Sequence, residues 1–170
     1  QQNALRERMR RVSSQFLRVK QHNLQDPETN LPNRAQLELH IESLIEHCQA
    51  RGGGIGVGMI EVNSSNNELR LGTLKTIANS IQLSLRPMDM VARFNLNTFA
   101  VSVYYHDPQA FNPDLFNRLI QSIKRHTMQT TDQGKQLSIA IGVWHGHDFD
   151  PAPSVADIIS NVHQASAPIQ

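Results

Sequence analysis

Three stretches of this chain have residue types and spacing that could do chemistry. The run Met90–Val103 sets two β-type segments on either side of the polar tip Asn95-Leu96-Asn97-Thr98. Asparagine tolerates positive φ better than most residues, so a tight hairpin tip is expected there, a kind of place that often carries chemistry. The second stretch is Trp144-His145-Gly146-His147-Asp148, whose H-x-H-D pattern could ligate a metal. Two histidines in a loop after a strand, without a distant third ligand, are ordinarily solvated, because a real site needs a full ligand set. The third is Arg51-Gly52-Gly53-Gly54. Dinucleotide-cradling glycines follow a strand and open a helix; these follow a helix and precede a strand, so that chemistry is set aside. No Ser/His/Asp or Cys/His constellation assembles from the remainder.

Periodicity supplies the elements that must position these residues. Leu5, Met9, Val12, Phe16 and Val19 form a heptad seam on an otherwise polar leading helix, which needs a second copy or the body of the domain as partner. That helix is expected to end before Asp26-Pro27. A polar connector runs from Asp26 to Arg34, with Pro32 suited to the first turn of the next helix. Leu37, Ile41, Leu44 and Cys48 give that helix an apolar face, and the glycines stop it. Ile55 to Val62 reads as a buried strand. After a polar loop from Asn63 to Asn67, Leu74, Ile77, Ala78, Ile81 and Leu85 stripe another helix, closed by Arg86-Pro87-Met88-Asp89. The hairpin follows, to about Tyr105. Asn112-Pro113-Asp114 starts a helix, with a cap residue, a proline and a first-turn acid. Leu137 to Trp144 alternates as a strand with Ile139, Ile141 and Val143 on one face, and Val155 to Ala165 is a last helix. The order after the leading helix is α-β-α-β-β-α-β-α, and its economical solution is an α/β (α+β) sheet of split-βαβ type with helices packed on it.

With 170 residues, 39 % of them hydrophobic, the chain makes one domain over residues 25–170 behind the leading helix of residues 1–24. A net charge of +1 gives no bulk field for nucleic acid or membrane. Arg6, Arg8, Arg10, Arg11, Arg18 and Lys20 crowd the leading helix, ordinarily a solvated face, and nucleic-acid binding there is the least favoured reading. The single cysteine, Cys48, excludes an internal disulfide and fits a reducing compartment; its place on an apolar helix face favours packing over reactivity. No run reaches membrane-spanning length. The chain starts at Gln1 within the helical pattern and stops abruptly at Gln170, which reads as a piece of a longer protein.

Four segments, in order, resemble the GGDEF domains of diguanylate cyclases. Asp26 to Arg34 resembles the D-x-L-T-G-L-x-N-R motif, with Glu28 and Asn30 in place of Leu and Gly. Arg86-Pro87-Met88-Asp89 resembles the inhibitory R-x-x-D motif, Arg93 to Val101 the signature hairpin, and Ser138 to Val143 the closing S-I-G-V strand. The resemblance covers roughly Leu24 to Ala165. It implies a ferredoxin-like GGDEF fold, a central antiparallel-containing sheet flanked by helices and preceded by a long signalling helix.

Departures from the family pattern decide the expected function. Where active members carry G-G-[DE]-E-F, this chain reads Asn95-Leu96-Asn97-Thr98-Phe99, and only the phenylalanine is kept. Side chains at Asn95 and Leu96 obstruct the close backbone approach that glycine permits. Asn97 and Thr98 are poor ligands for the hard divalent cations that acidic residues hold there. The other metal-binding position, D-x-D-like at the end of the first strand, is Glu61-Val62-Asn63, a lone carboxylate whose ordinary reading is a solvated strand end or local ion pair. The segment after Asn63 lacks an F-K-x-x-N-D-like stretch for the guanine. The resemblance therefore implies a catalytically inactive regulatory domain in bacterial cyclic di-GMP-related signalling, with no catalytic residue, no metal and no cofactor. Its expected partners are a second copy through the leading helix and a protein partner or a following EAL domain. Its expected place is the cytoplasm, with membrane anchoring elsewhere in the protein kept open. The alternative is a cyclic di-GMP receptor through Arg86 and Asp89, in which an arginine fork addresses guanine or phosphate and a carboxylate accepts guanine N–H groups. An ordinary helix exit explains the same pair without a ligand. Arg93 enters only by its proximity on the adjacent strand.

Overall fold

The computed structural model describes residues 24–64, 69–130 and 137–168, together with the isolated positions Ala4, Arg6 and Arg8. The heptad seam Leu5–Val19, and the dimer expected from it, lie outside the described residues. Helix α1 (Arg34–Arg51) is followed by strand β1 (Gly54–Ser64), helix α2 (Leu71–Leu83), strands β2 (Met90–Asn95) and β3 (Thr98–Tyr105), a short 3-10 turn at Pro108–Ala110, helix α3 (Asp114–Thr130), strand β4 (Leu137–His147), helix α4 (Val155–Gln164) and the two-residue strand β5 (Ala167–Pro168). This is the expected order with β5 added.

The sheet order is β2-β3-β1-β4-β5, and every neighbouring pair is antiparallel. Strands β1 and β2, joined through α2, therefore run parallel with β3 between them, the split-βαβ arrangement. Helices cover both faces. Ile60, Val62, Phe99, Val101 and Val103 pack with α2 and α3, while Ile55, Val57, Met59, Ala100 and Tyr104 pack with α1 and α4. Burial on both faces is why β1 reads as a continuous apolar run rather than an alternating one. Gly58 makes the room this needs, since a Cβ there would lie 2.3 Å from the Phe116 ring. Cys48 is buried and free in the α1 face, and burial pushes its thiol above its ordinary pKa.

Local signals explain most boundaries. Asn33 caps α1 by accepting from the Gln36 amide. Pro32, expected in the first turn, stands before that cap instead; its carbonyl accepts the Arg93 amide at 2.9 Å, so the connector pairs with β2 before the helix begins. Gly52 and Gly53 take φ of 82° and 96° between α1 and β1, a helix stop rather than a phosphate cradle. The hairpin stands where expected, but Asn95 and Asn97 are not at positive φ; the tip closes through an irregularity in β2 between Arg93 and Asn95, while the Asn97 amide bonds to the Asn95 side chain at 3.2 Å. Among the described residues the positive-φ asparagine is Asn30 (φ 60°), where the resembling motif has glycine. Strand β4 runs three residues beyond Trp144, so His145 and His147 lie on a strand and not in a loop; the full length of β1 pairs with it, ending at Gly54 opposite His147. No helix among the described residues is long and apolar enough to cross a membrane.

Candidate functional site

Chemistry-bearing side chains gather at the end of the sheet where β1 leaves and the β2–β3 hairpin turns. The register sets Glu61 opposite Thr98. The Val62 amide donates to the Asn97 carbonyl at 2.8 Å, which fastens the tip to β1. The side chains continue the contact. Asn97 Nδ2 donates to Asn63 Oδ1 at 2.7 Å, and Asn63 Nδ2 donates to Glu61 Oε1 at 3.2 Å. Neutral amides thus bond to each other where the resembling family holds metal between acids. Thr98 is buried, Phe99 is fully buried in the core, and Leu96 is 77 % exposed. Among the described residues no group of three or more His, Cys, Asp or Glu is placed to hold a metal ion.

Arg93 is the centre of this end of the molecule. Its side chain is only 6 % exposed. The NH1 nitrogen contacts Asp26 Oδ2 at 3.3 Å and forms a short ion pair with Glu28. Nε donates to the Asn95 carbonyl at 3.3 Å, and NH2 to the Leu96 carbonyl at 2.8 Å. The guanidinium is thus committed to the connector and the tip. Asp26 also accepts from the Thr29 amide and hydroxyl, at 2.9 and 2.6 Å. Burial alone would raise its pKa, but the Thr29 hydrogen bonds and the Arg93 charge outweigh burial and hold the carboxyl below its ordinary 3.8. Between connector, β1 end and tip lies a groove of about 430 Å³, lined by Glu28, Asn63, Ser64 and Asn97 and by the apolar Val62, Leu69, Leu74 and Leu96.

Arg86 and Asp89 form a closed pair. Nε and NH2 of Arg86 reach Asp89 Oδ2 and Oδ1 at 3.0 and 3.1 Å, a bidentate fork. The Arg86 amide also donates to Asp89 Oδ2, and NH2 reaches the Tyr104 carbonyl at 2.6 Å. The Asp89 side chain is 2 % exposed and that of Arg86 61 %, so only the arginine faces solvent. An open groove of about 1050 Å³ starts here and is lined by Arg118 and Arg125 of α3. Those two arginines stand seven residues apart, two turns of one helix face, a signal present in the sequence but not used.

His145 and His147 at the end of β4 pack and pair locally, and His40 links distant elements. His145 stacks on Phe111 with ring centroids 4.6 Å apart, and His147 Nδ1 contacts Asp148 at 2.7 Å. His40 is a residue that sequence spacing missed. Its Nδ1 lies 2.6 Å from the hydroxyl of fully buried Ser102, 62 positions away. Burial lowers its pKa from 6.5, opposed by a hydrogen bond to the Met88 backbone and by the Asp89 charge, so His40 ties α1 to the Arg86–Asp89 turn.

Comparison with known proteins gives a consistent family. Residues 23–167 match the family described as diguanylate cyclase, GGDEF domain. No curated protein sequence matches the chain. Among solved structures, the chain is similar to the coiled coil and GGDEF domain of DgcB from Caulobacter crescentus in complex with c-di-GMP, with TM-score 0.70 and 13 % identity over 94 % of this chain and 86 % of that one. It is similar to the diguanylate cyclase SiaD from Pseudomonas aeruginosa in complex with its activator SiaC, with TM-score 0.64 and 17 % identity over 96 % and 67 %. The FimX GGDEF domain from Pseudomonas aeruginosa gives TM-score 0.62 and 18 % identity over 84 % and 90 %. At these identities the structures establish the fold.

Proposed function

The chain belongs to the diguanylate cyclase GGDEF-domain family, and we propose that it is a catalytically inactive member acting as a regulatory module in cyclic di-GMP-related signalling. The observation that carries this reading is the self-closed tip. Asn97 and Asn63 bond directly to each other, Glu61 is the one carboxylate of the trio, and Arg93 is spent on Asp26, Glu28 and two carbonyls. Triphosphate cyclisation in this family needs acidic ligands for divalent cations, and neutral amides offset none of the cation charge. The output passes through contacts: a second copy through the leading helix, or a partner protein or following domain. The SiaD structure contains an activator protein, and that of DgcB a coiled coil, which supports contact-based control as a mode open to this fold. We place the domain on the cytoplasmic side, in keeping with a single, buried Cys48 and hence no internal disulfide. Incubation with GTP and Mg²⁺ or Mn²⁺, followed by chromatography, tests the reading. No cyclic di-GMP is expected, and any turnover abolished by Glu61→Gln overturns it.

A second reading is favoured by the arginine-lined groove beside the Arg86–Asp89 pair. It makes this domain a cyclic di-GMP receptor, with Arg86, Arg118 and Arg125 as the cations for an anionic dinucleotide. Asp89 is already filled by Arg86, so binding on this reading requires that fork to open. Calorimetric titration with cyclic di-GMP decides it. Binding lost in Arg86→Ala supports the receptor; no heat at high micromolar ligand removes it.

A further inference from the structure

We propose that the seam between α2 and α3 is a docking site for an acidic amphipathic helix of a protein partner. This names the kind of partner for the contact-based output proposed above and rests on that reading. Charge is segregated between the two helical layers. Helices α2 and α3 carry Lys75, Arg118, Lys124 and Arg125 against one acid, Asp114, in the first turn of α3. Helices α1 and α4, on the other face of the sheet, carry Glu38, Glu42, Glu46 and Asp157 against Arg34 and Arg51. The net charge of +1 conceals this division. An ordinary solvated face mixes the two signs and pairs them, as Arg34 and Glu38 do at 3.1 Å on α1. Among the described residues Lys75, Arg118, Lys124 and Arg125 have no ion-pair partner.

The seam also has the shape and the apolar surface that a helix needs. Two grooves, of about 420 and about 1050 Å³, run end to end along it. Ser80 lines the first and Ser84 the second, one turn apart on α2, and His126 and Ser122 follow in the same order on α3. Lys75, Asn79 and Leu83, at i, i+4 and i+8, form the α2 wall of the first groove; Arg118 and Arg125 line the second from α3. Leu83 is 74 % exposed, and Met128, three positions after Arg125, is 56 % exposed, so apolar surface stands in water beside the cations. The 13 residues of α2 make the seam about 20 Å long, three to four turns of a partner helix. An apolar stripe on that helix would seat on Leu83, with flanking acids facing Lys75 on the α2 wall and Arg118 and Arg125 on the α3 wall. Other acidic partners fit less well. The single Phe, Tyr or Trp of the two helices is Phe116, 1 % exposed, so they offer nucleic-acid bases no stacking platform. A lipid surface is flat and meets the rims of a seam, not its floor. The acidic face of a second copy would stack copy on copy without closing, because the acidic and basic layers lie on opposite faces of the sheet.

The probe is a fluorescein-labelled peptide of about 15 residues, with leucines on one helical face and glutamates on the rest, titrated with the full chain and read by anisotropy. It should bind saturably at micromolar concentration and weaken as salt rises. The same leucine stripe with lysine in place of glutamate should not bind, and the acidic peptide with its leucines scrambled off the stripe should bind about tenfold more weakly. Arg118→Gln with Arg125→Gln should weaken the peptide about tenfold, the size of two exposed ion pairs. Leu83→Ala, which leaves every charge in place, should weaken it about fivefold. Lys124 lines neither groove, so Lys124→Gln should change nothing. Equal binding of the lysine or scrambled peptide, a loss in Lys124→Gln as large as in the double variant, or no saturable binding each overturn the inference. So does a single-stranded oligonucleotide or a phosphatidylserine vesicle bound as tightly as the peptide, or self-association of the chain that the double variant abolishes. GTP with Mg²⁺ separates this inference from the reading it rests on. Turnover overturns the inactive reading whatever the peptide does, whereas silence from both GTP and the peptide sinks this inference alone.

Discussion

Replacing Arg93 with glutamine should destabilise the domain by about 2–4 kcal/mol. The side chain is 6 % exposed and neutralises two carboxylates while donating to two main-chain carbonyls. Glutamine removes the charge, leaving Asp26 and Glu28 beside each other and the Asn95 and Leu96 carbonyls short of donors. Truncating one member of a fully buried charge pair costs about 3–5 kcal/mol. The figure here is lower because Glu28 is half in water and Asp26 keeps its two Thr29 hydrogen bonds. Urea unfolding at neutral pH reads the effect, and with a slope of about 2 kcal/mol per molar the midpoint should fall by roughly 1–2 M. In the Asp26→Asn background the same replacement should cost about 1 kcal/mol less, the coupling expected of residues in one ion-pair network. Acid should reproduce part of the loss. The folded Asp26 carboxyl titrates below its ordinary 3.8, so its contribution is full above that value and disappears as the pH falls through the folded one. An unfolding free energy for Arg93→Gln within about 0.5 kcal/mol of the parent, the scatter of ordinary surface changes, would refute the argument that this guanidinium joins the connector to the tip.

Two other residues give independent checks. Burial pushes the His40 pKa below 6.5, so the folded state binds its proton less readily than the unfolded chain and stability should fall as the pH drops from 6.5 toward the lower folded value; the difference between urea midpoints at about pH 7.5 and about pH 5 should be smaller in His40→Gln than in the parent. Asn30 sits at φ 60°, so Asn30→Val should lower the thermal midpoint by an amount equivalent to about 1–2 kcal/mol, while Asn30→Gly leaves it nearly unchanged, as scanning calorimetry would show.

What the sequence disclosed and what it hid divide along sequence separation. The asparagine start of α3 at Asn112, the glycine stop after α1 and the hairpin of β2 and β3 are written in adjacent residues, and they stand where those residues put them, whereas α1 starts later than Pro32 suggested. The order of elements was legible for the same reason, since each apolar period is local. The far end of β4 was not legible. His145 and His147 have no strong strand preference and are strand because β1 offers them a partner along its whole length. The candidate site was legible as a list of changed residues at the tip, but not as a set of contacts. Arg93 reaches Asp26 and Glu28 across 67 and 65 positions, and His40 reaches Ser102 across 62. No spacing rule connects such pairs; only the fold brings them together. Conversely, the Arg86–Asp89 pair was visible as three-residue spacing, yet the sequence could not show that the two side chains satisfy each other.

The tip carries a last consequence. Two carboxylates facing each other across a strand end repel, and a divalent cation is what draws such a pair together. Here the facing groups are amides, and Asn97 Nδ2 reaches Asn63 Oδ1 at 2.7 Å with no cation needed. The order of this tip should therefore be independent of Mg²⁺. Hydrogen exchange of the Val62 amide, which is held by the Asn97 carbonyl at 2.8 Å, should be equally slow in EDTA and in millimolar Mg²⁺. Asn97→Asp reverses the logic. The new carboxylate has no donor for Asn63 Oδ1 and faces the Glu61 charge one residue pair away, so protection at Val62 should fall by about tenfold, the loss of one hydrogen bond of about 1.4 kcal/mol. Mg²⁺ should restore some of that protection in the variant and none in the parent. Faster exchange of the parent in EDTA would show that a cation, and not the amide contact, holds the tip.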